Sequence, residues 1–200
     1  MREELPIGKL TGRELSRLLK AVVVPRPIAW VSTISPEGID NLAPHSFFTA
    51  ACFDPPIVQF SSIGRKDSLR NAVESGEFVV NFSDRPHFDQ INATATDHPP
   101  EVSEFKAAGV AREDSSAVSA PRVADSPVAL ECATDRTVDF GTSTVVFGRV
   151  VHISIASEVM VGDYPQIERL DPVARLGKNQ WATVGEVLEI DRVPYRQAGD

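Results

Sequence analysis

Two cations and a hydroxyl stand where a helical segment begins, in Arg65-Lys66-Asp67-Ser68, and that combination suits an anion. A phosphate monoester carries roughly −1.5 to −2 charges and is held by charge-assisted donors and by the free N–H groups of a helix's first turn. Ser61 and Ser62 end the preceding strand and bring two more hydroxyls to the same region. Asp67 is the odd member beside an anion; its expected role is the N-cap that fixes the turn. The plainer alternative is a capped surface helix with solvated charges. Arg26-Pro27 is the second candidate. A guanidinium on a rigid proline step can cover an aromatic heterocycle or pair with an acidic group, or it can serve only as a strand-entry salt bridge. His45, between Pro44 and Ser46, falls in a loop-to-strand turn, where a lone histidine is usually only hydrogen-bonded. Trp30 lies on a strand and reads as core.

The elements that must position these residues are short and mostly extended. Thr11-Gly12-Arg13-Glu14 is a capping-box pattern ahead of Leu15, Leu18 and Leu19, which share one helical face. That helix stops before Pro25. Strands are expected over 28–34, 46–53, 57–62, 78–82, 127–132 and 144–155, with Ser35-Pro36-Glu37-Gly38 as a turn. Helical spacing covers 68–75, ended by Gly76, and again the run from Phe88 to Ala95. Residues 97–126 are polar and broken by prolines, with one helical turn near Glu104-Phe105-Lys106. A connection that long suggests a functional flap or a partner arm, and the tail after Pro172 suggests another. Strands outnumber helices and no βα alternation appears. The expected class is therefore mainly β with peripheral helices, an antiparallel barrel in a single domain over 1–200.

Composition narrows the function. The 200 residues are 42% hydrophobic, enough for one good core. A net charge of −8 and a pI near 5.0 argue against nucleic acid and anionic membranes as partners. No apolar run approaches ~18 residues, and Met1-Arg2-Glu3-Glu4 lacks the apolar region of a secretory signal, so a cytoplasmic protein is expected. Cys52 and Cys132 both lie in apolar runs and read as buried thiols. With no CxxC and no Cys/His cluster, a metal site is not expected. There is no G-x-S-x-G elbow, no H-E-x-x-H, no P-loop and no G-x-G-x-x-G after a strand. Such a chain suits chemistry carried by a cofactor.

The run Pro25-Arg26-Pro27-Ile28-Ala29-Trp30-Val31-Ser32-Thr33, then Gly38 and Asn41-Leu42-Ala43-Pro44-His45-Ser46-Phe47-Phe48, resembles the flavin reductase-like family with the FMN-binding split barrel. Asp54-Pro55-Pro56, Lys66-Asp67-Ser68, Gly76-Glu77-Phe78-Val79-Val80-Asn81, Ile91-Asn92-Ala93-Thr94 and Ser103-Glu104-Phe105 continue the likeness. Ser126-Pro127-Val128-Ala129-Leu130-Glu131-Cys132, Gly148-Arg149-Val150 and Arg175-Leu176-Gly177 complete it, over about residues 15–195. The resemblance implies a homodimer of Greek-key-like split β-barrels, with FMN (FAD being the alternative flavin) in a groove near the subunit interface and NAD(P)H as co-substrate.

Carried onto this chain, the resemblance lays the flavin ring against Asn41, Leu42, Ala43, Pro44, His45 and Ser46, with Arg26 and Pro27 beside it and Arg26 the one catalytic candidate. The phosphate meets Ser61, Ser62, Lys66 and Ser68, with Asp67 in the same turn. Arg175 and Trp181 would come from the neighbouring subunit to close the flavin face. One departure stands out: short-form members carry Gly-Asp-His ahead of the Gly-x-Val strand, associated with nicotinamide use, and here Gly141-Thr142-Ser143 occupies the matching place. The implied activity is a flavin reductase supplying reduced flavin to a monooxygenase partner. The alternatives are a flavoredoxin-like electron-transfer protein reduced by a ferredoxin-like partner, and a flavin store or sensor without turnover.

Overall fold

A computed structural model describes residues 1–193. The chain opens with helix α1 (Gly12–Val22), whose capping box is complete: the Thr11 hydroxyl accepts the Glu14 N–H and the Glu14 carboxylate accepts the Thr11 N–H. Strands β1 (Ala29–Ile34), β2 (Asp40–His45), β3 (Phe48–Phe53) and β4 (Pro56–Ile63) follow. Helix α2 (Asp67–Glu74) and strand β5 (Glu77–Asn81) come next, then α3 (Phe88–Ala93) and α4 (Glu104–Ala107). A small ribbon pairs β6 (Arg112–Glu113) with β7 (Arg122–Val123). The long hairpin β8 (Val128–Phe140) and β9 (Ser143–Ile155) precedes a second ribbon, β10 (Met160–Val161) with β11 (Tyr164–Pro165). The short helix α5 (Ile167–Leu170) leads into the hairpin β12 (Val173–Arg175) and β13 (Trp181–Thr183).

Seven strands form one antiparallel sheet in the order β2-β1-β5-β8-β9-β4-β3. The fold is mainly β. The sheet curls until the end of β2 meets β4, where the His45 ring lies 4.7 Å from the Phe60 ring and the Phe47 carbonyl accepts the Ser61 N–H.

Strand periodicity explains how one strand serves two layers. Along β1, Ala29 and Val31 point inward to Val58, Phe60, Phe78, Val80, Cys132 and Val146. Trp30 points the other way, into a layer with Leu42, Ile91, Phe105, Val110, Val123 and Val173, and its indole N–H donates to the Thr94 hydroxyl at 2.9 Å. Both faces of β1 are thus buried, Ser32 and Thr33 included.

Several expectations are corrected here. Residues 40–45 form a strand rather than a loop, since β2 pairs with all of β1 from Ala29↔His45 to Ile34↔Asp40. Strand β8 continues past Cys132 to Phe140 because β9 supplies partners along its exposed half. The segment 97–126 is no free arm: Phe105, Val110, Ala120 and Val123 are buried against the chain's own barrel. Buried Glu131 accepts the N–H groups of Ser116 and Ala117, which pins the middle of that segment. The start of the tail also packs inward, with Val173 buried beside Trp30 and Leu42. Cys52 is exposed on β3, whereas Cys132 is buried. Asp67 is not the N-cap of α2. Lys66 holds that position in an extended conformation, and the Asp67 carboxylate turns to Arg70 at 2.5 Å.

Candidate functional site

Where β2, β4, the start of α2 and the β12–β13 turn converge, the surface opens into a cleft of about 700 Å³, within the range of small-molecule sites. Arg26, Asn41, Ala43, Pro44, His45, Ser46, Ser61, Ser62, Lys66, Asp67, Ser68 and Arg175 all line it. Residues far apart in sequence are therefore brought together in one cleft. Three are not. The Leu42 side chain is buried in the core, Pro27 lines a separate apolar hollow with Ile28 and Phe48, and Trp181 packs edge-on against Phe88 with centroids 5.0 Å apart. Arg175 reaches the cleft from within the same chain, carried there by an antiparallel bridge to Arg26.

The cleft is basic in an acidic protein. Its walls carry Lys20, Arg26, Arg65, Lys66, Arg70, Arg175 and Lys178 against Asp67, Asp97 and Glu104. At the α2 end Lys66 has no side-chain cap to offer the helix, so first-turn N–H groups stay available to an anion beside the Ser68 hydroxyl. Ser68 is buried and its oxygen accepts the Asn41 amide at 3.0 Å, leaving its own proton to donate. The Ser62 hydroxyl donates to the Gly64 carbonyl and shapes the turn. Lys66 Nζ rests on Asp97 Oδ1 at 2.6 Å, both side chains well exposed. Exposed pairs of this kind contribute only about 0–1 kcal/mol, so the ammonium is readily exchanged onto a stronger anion.

His45 provides the test of fit. Its Nδ1 lies 3.3 Å from the Ser61 carbonyl and donates to it, so Nε2 is left as an acceptor, and that atom is buried with no partner. Burial holds the imidazole down at about 4, only partly opposed by the Ser61 carbonyl, with Lys66 lowering it further. A neutral acceptor waiting in a basic cleft matches a ligand with an anionic group at one end and N–H or O–H donors along its body. A flavin mononucleotide has both.

Arg26 is committed elsewhere. Its Nε donates to the Ser46 hydroxyl at 3.3 Å, Nη1 to the carbonyls of Lys20 and Val23, and Nη2 to the Leu176 carbonyl at 2.8 Å. The guanidinium ties the carbonyl end of α1 to the β12–β13 hairpin and to the cleft wall, and so holds the cleft's shape.

Sequence reasoning missed Lys20, Phe47, Arg70, Asp97, His98, Glu104 and Lys178 as cleft residues. Lys178 follows Arg175-Leu176-Gly177 directly and was within reach of that motif; Asp97 and His98 carried no local signal. Glu104 is buried and accepts the Leu42 N–H at 3.1 Å, and burial raises its carboxyl above the ordinary value. The turn at Gly141-Thr142 lies off the cleft, facing a hollow beside α2.

Residues 21–166 match the family described as the flavin reductase like domain. The chain belongs to that family. An uncharacterised protein of Halalkalibacterium halodurans is 36% identical over 200 residues, covering 94% of this chain and 95% of that one. Among solved structures, nitrilotriacetate monooxygenase component B from Bacillus cereus is 32% identical with a TM-score of 0.92, covering 95% of this chain and 99% of that one. The 2-nitrobenzoate 2-nitroreductase of Pseudomonas fluorescens is 28% identical with a TM-score of 0.88, covering 99% of this chain and all of that one. The family gives the flavin reductase-like split barrel, and the basic cleft is the feature of this member that fits a flavin.

Proposed function

We propose that this protein is an FMN-binding oxidoreductase that accepts electrons from NAD(P)H and delivers reduced flavin to a monooxygenase-type partner. One observation carries the reading: a basic cleft whose α2 end suits a phosphate also holds the unpartnered acceptor of His45. FMN supplies redox chemistry at its ring, so no side-chain nucleophile is needed. Lys66, Ser68, Ser61 and the uncapped turn of α2 bind the phosphate. The Asn41–Ser46 strand edge orients the ring, His45 Nε2 accepts a hydrogen bond from the cofactor, and Arg26 positions the wall.

The protein works as a homodimer in this reading. The edge strand β3 leaves Ala50 to Phe53 exposed, and Val151 and Ile153 of β9 are also about half-exposed, so a second copy would cover apolar surface and an unpaired strand edge. The similarity to a monooxygenase component B supports the delivery role. A second reading is electron transfer from a protein donor, favoured by Gly141-Thr142-Ser143 standing in place of Gly-Asp-His. Steady-state oxidation of NADH and NADPH with added FMN separates the two. Turnover with either nucleotide supports the reductase; FMN binding without oxidation of either supports the protein-donor reading.

A further inference from the structure

The two ends of the cleft are electrostatically unlike. At the α2 end each cation has a carboxylate: Arg65 faces Glu74 at 3.8 Å, Lys66 faces Asp97, and Arg70 faces Asp67. At the opposite end Lys20, Arg26, Arg175 and Lys178 line the wall and, among the described residues, none forms an ion pair. Arg26 and Arg175 are joined through their backbones, each N–H donating to the other's carbonyl at 3.0 Å. This brings two guanidiniums together, and burial and then the charge of Arg175 push the Arg26 group below its ordinary value. Like charges gathered without a counter-charge favour an incoming anion.

The local build keeps these cations in place. Arg175 stacks over the Trp181 ring at 4.7 Å and donates one N–H to the Lys178 carbonyl, which leaves most of its five donors free. Gly177 seats the turn against α1, since a Cβ there would lie 3.3 Å from Ala21 Cα, and Lys20 is the neighbouring residue. Lys178 adopts a φ of +55°, a left-handed conformation unfavourable for a side chain other than glycine. Arg26 has spent its donors on three carbonyls and the Ser46 hydroxyl, so the available groups are Lys20, Arg175 and Lys178.

We propose that Lys20, Arg175 and Lys178 form a second anion subsite, which binds a carboxylate or phosphate on the reactant that meets the flavin. This rests on the flavin lying in the cleft with its phosphate at the α2 end. The chemistry of recognition is an anionic oxygen group; its source is either an acidic aromatic substrate or the extra phosphate that distinguishes NADPH from NADH.

The test uses FMN-loaded protein and the absorbance change of the bound flavin as readout. Benzoate is compared with benzamide, and NADPH with NADH, in the parent and in a Lys20→Gln/Lys178→Gln variant. The parent is expected to prefer the more anionic member of one pair by about tenfold, as one charge-assisted contact provides. The pair that shows the preference identifies the source. The variant is expected to lose that preference while its FMN affinity, titrated separately, stays unchanged. The absence of a preference in both pairs, or its survival in the variant, overturns the subsite. If the variant instead loses FMN affinity and Lys66→Ala does not, the flavin phosphate sits at this end. That result overturns the subsite and the phosphate placement together, whereas the other failures leave the flavin reading intact.

Discussion

The Asn41 side-chain amide donates to the Ser68 hydroxyl at 3.0 Å, and this single bond ties the strand edge of β2 to the first turn of α2. Both residues are buried, and Asn41 also donates to Thr33. The two walls of the cleft are therefore held at a fixed separation by one polar cluster beneath it. Ser68→Ala removes the acceptor and leaves part of a buried amide unsatisfied, so a loss of about 1–3 kcal/mol is expected. Urea unfolding with an unchanged slope and a lower midpoint would show it.

Lys66 and Asp97 should act on the cofactor with opposite signs. Lys66→Ala removes a charge-assisted contact of about 1.5–3 kcal/mol, so FMN affinity falls roughly ten- to hundredfold. Asp97→Asn frees the ammonium from its exposed partner, and FMN affinity rises. Flavin fluorescence quenching measures both, and a fall in the Asp97 variant would remove Lys66 from the phosphate site.

Much of this arrangement was legible in the sequence, and the limits are physical. The capping box of α1, the strand over 28–34 and the turn at Gly38 are local patterns, and each was read from a few adjacent residues. Strand β2 was not, because Asn41, Pro44 and His45 lack a strand's usual apolar alternation; pairing along the whole of β1 makes it one. The Arg65-Lys66-Asp67-Ser68 segment lines the cleft, but its reading assigned the cap to Asp67, which instead pairs with Arg70. The partners of Arg26 lie in α1 and beyond residue 170, so only the fold discloses that its donors are taken. The same holds for Trp181, whose position against Phe88 depends on how the β12–β13 hairpin packs.

Acid should reveal His45. Its imidazole sits at about 4 in the folded protein against an ordinary value of 6.5. The unfolded chain then binds the extra proton between those values, so this group's contribution is complete above pH 6.5 and declines as pH falls toward 4. The shift corresponds to about 3 kcal/mol. Stability measured from pH 4 to 7 in the parent and in His45→Gln should differ by a slope confined to that window. Parallel curves would mean that His45 titrates normally.

Gly148 should tolerate no side chain. A Cβ there would lie 2.2 Å from Phe78 Cζ, and Phe78 is fully buried in the barrel. Gly148→Ala therefore overpacks the core and is expected to lose about 1–3 kcal/mol or more, seen as a lowered melting temperature with FMN binding intact in the folded fraction.

The central claim is that the cleft takes a flavin by its phosphate. Parallel titration of the apoprotein with FMN and riboflavin, followed by fluorescence, tests it most directly. FMN should bind about one to two decades more tightly, as charge-assisted contacts to Lys66 and the α2 turn require. Equal affinities would contradict the account.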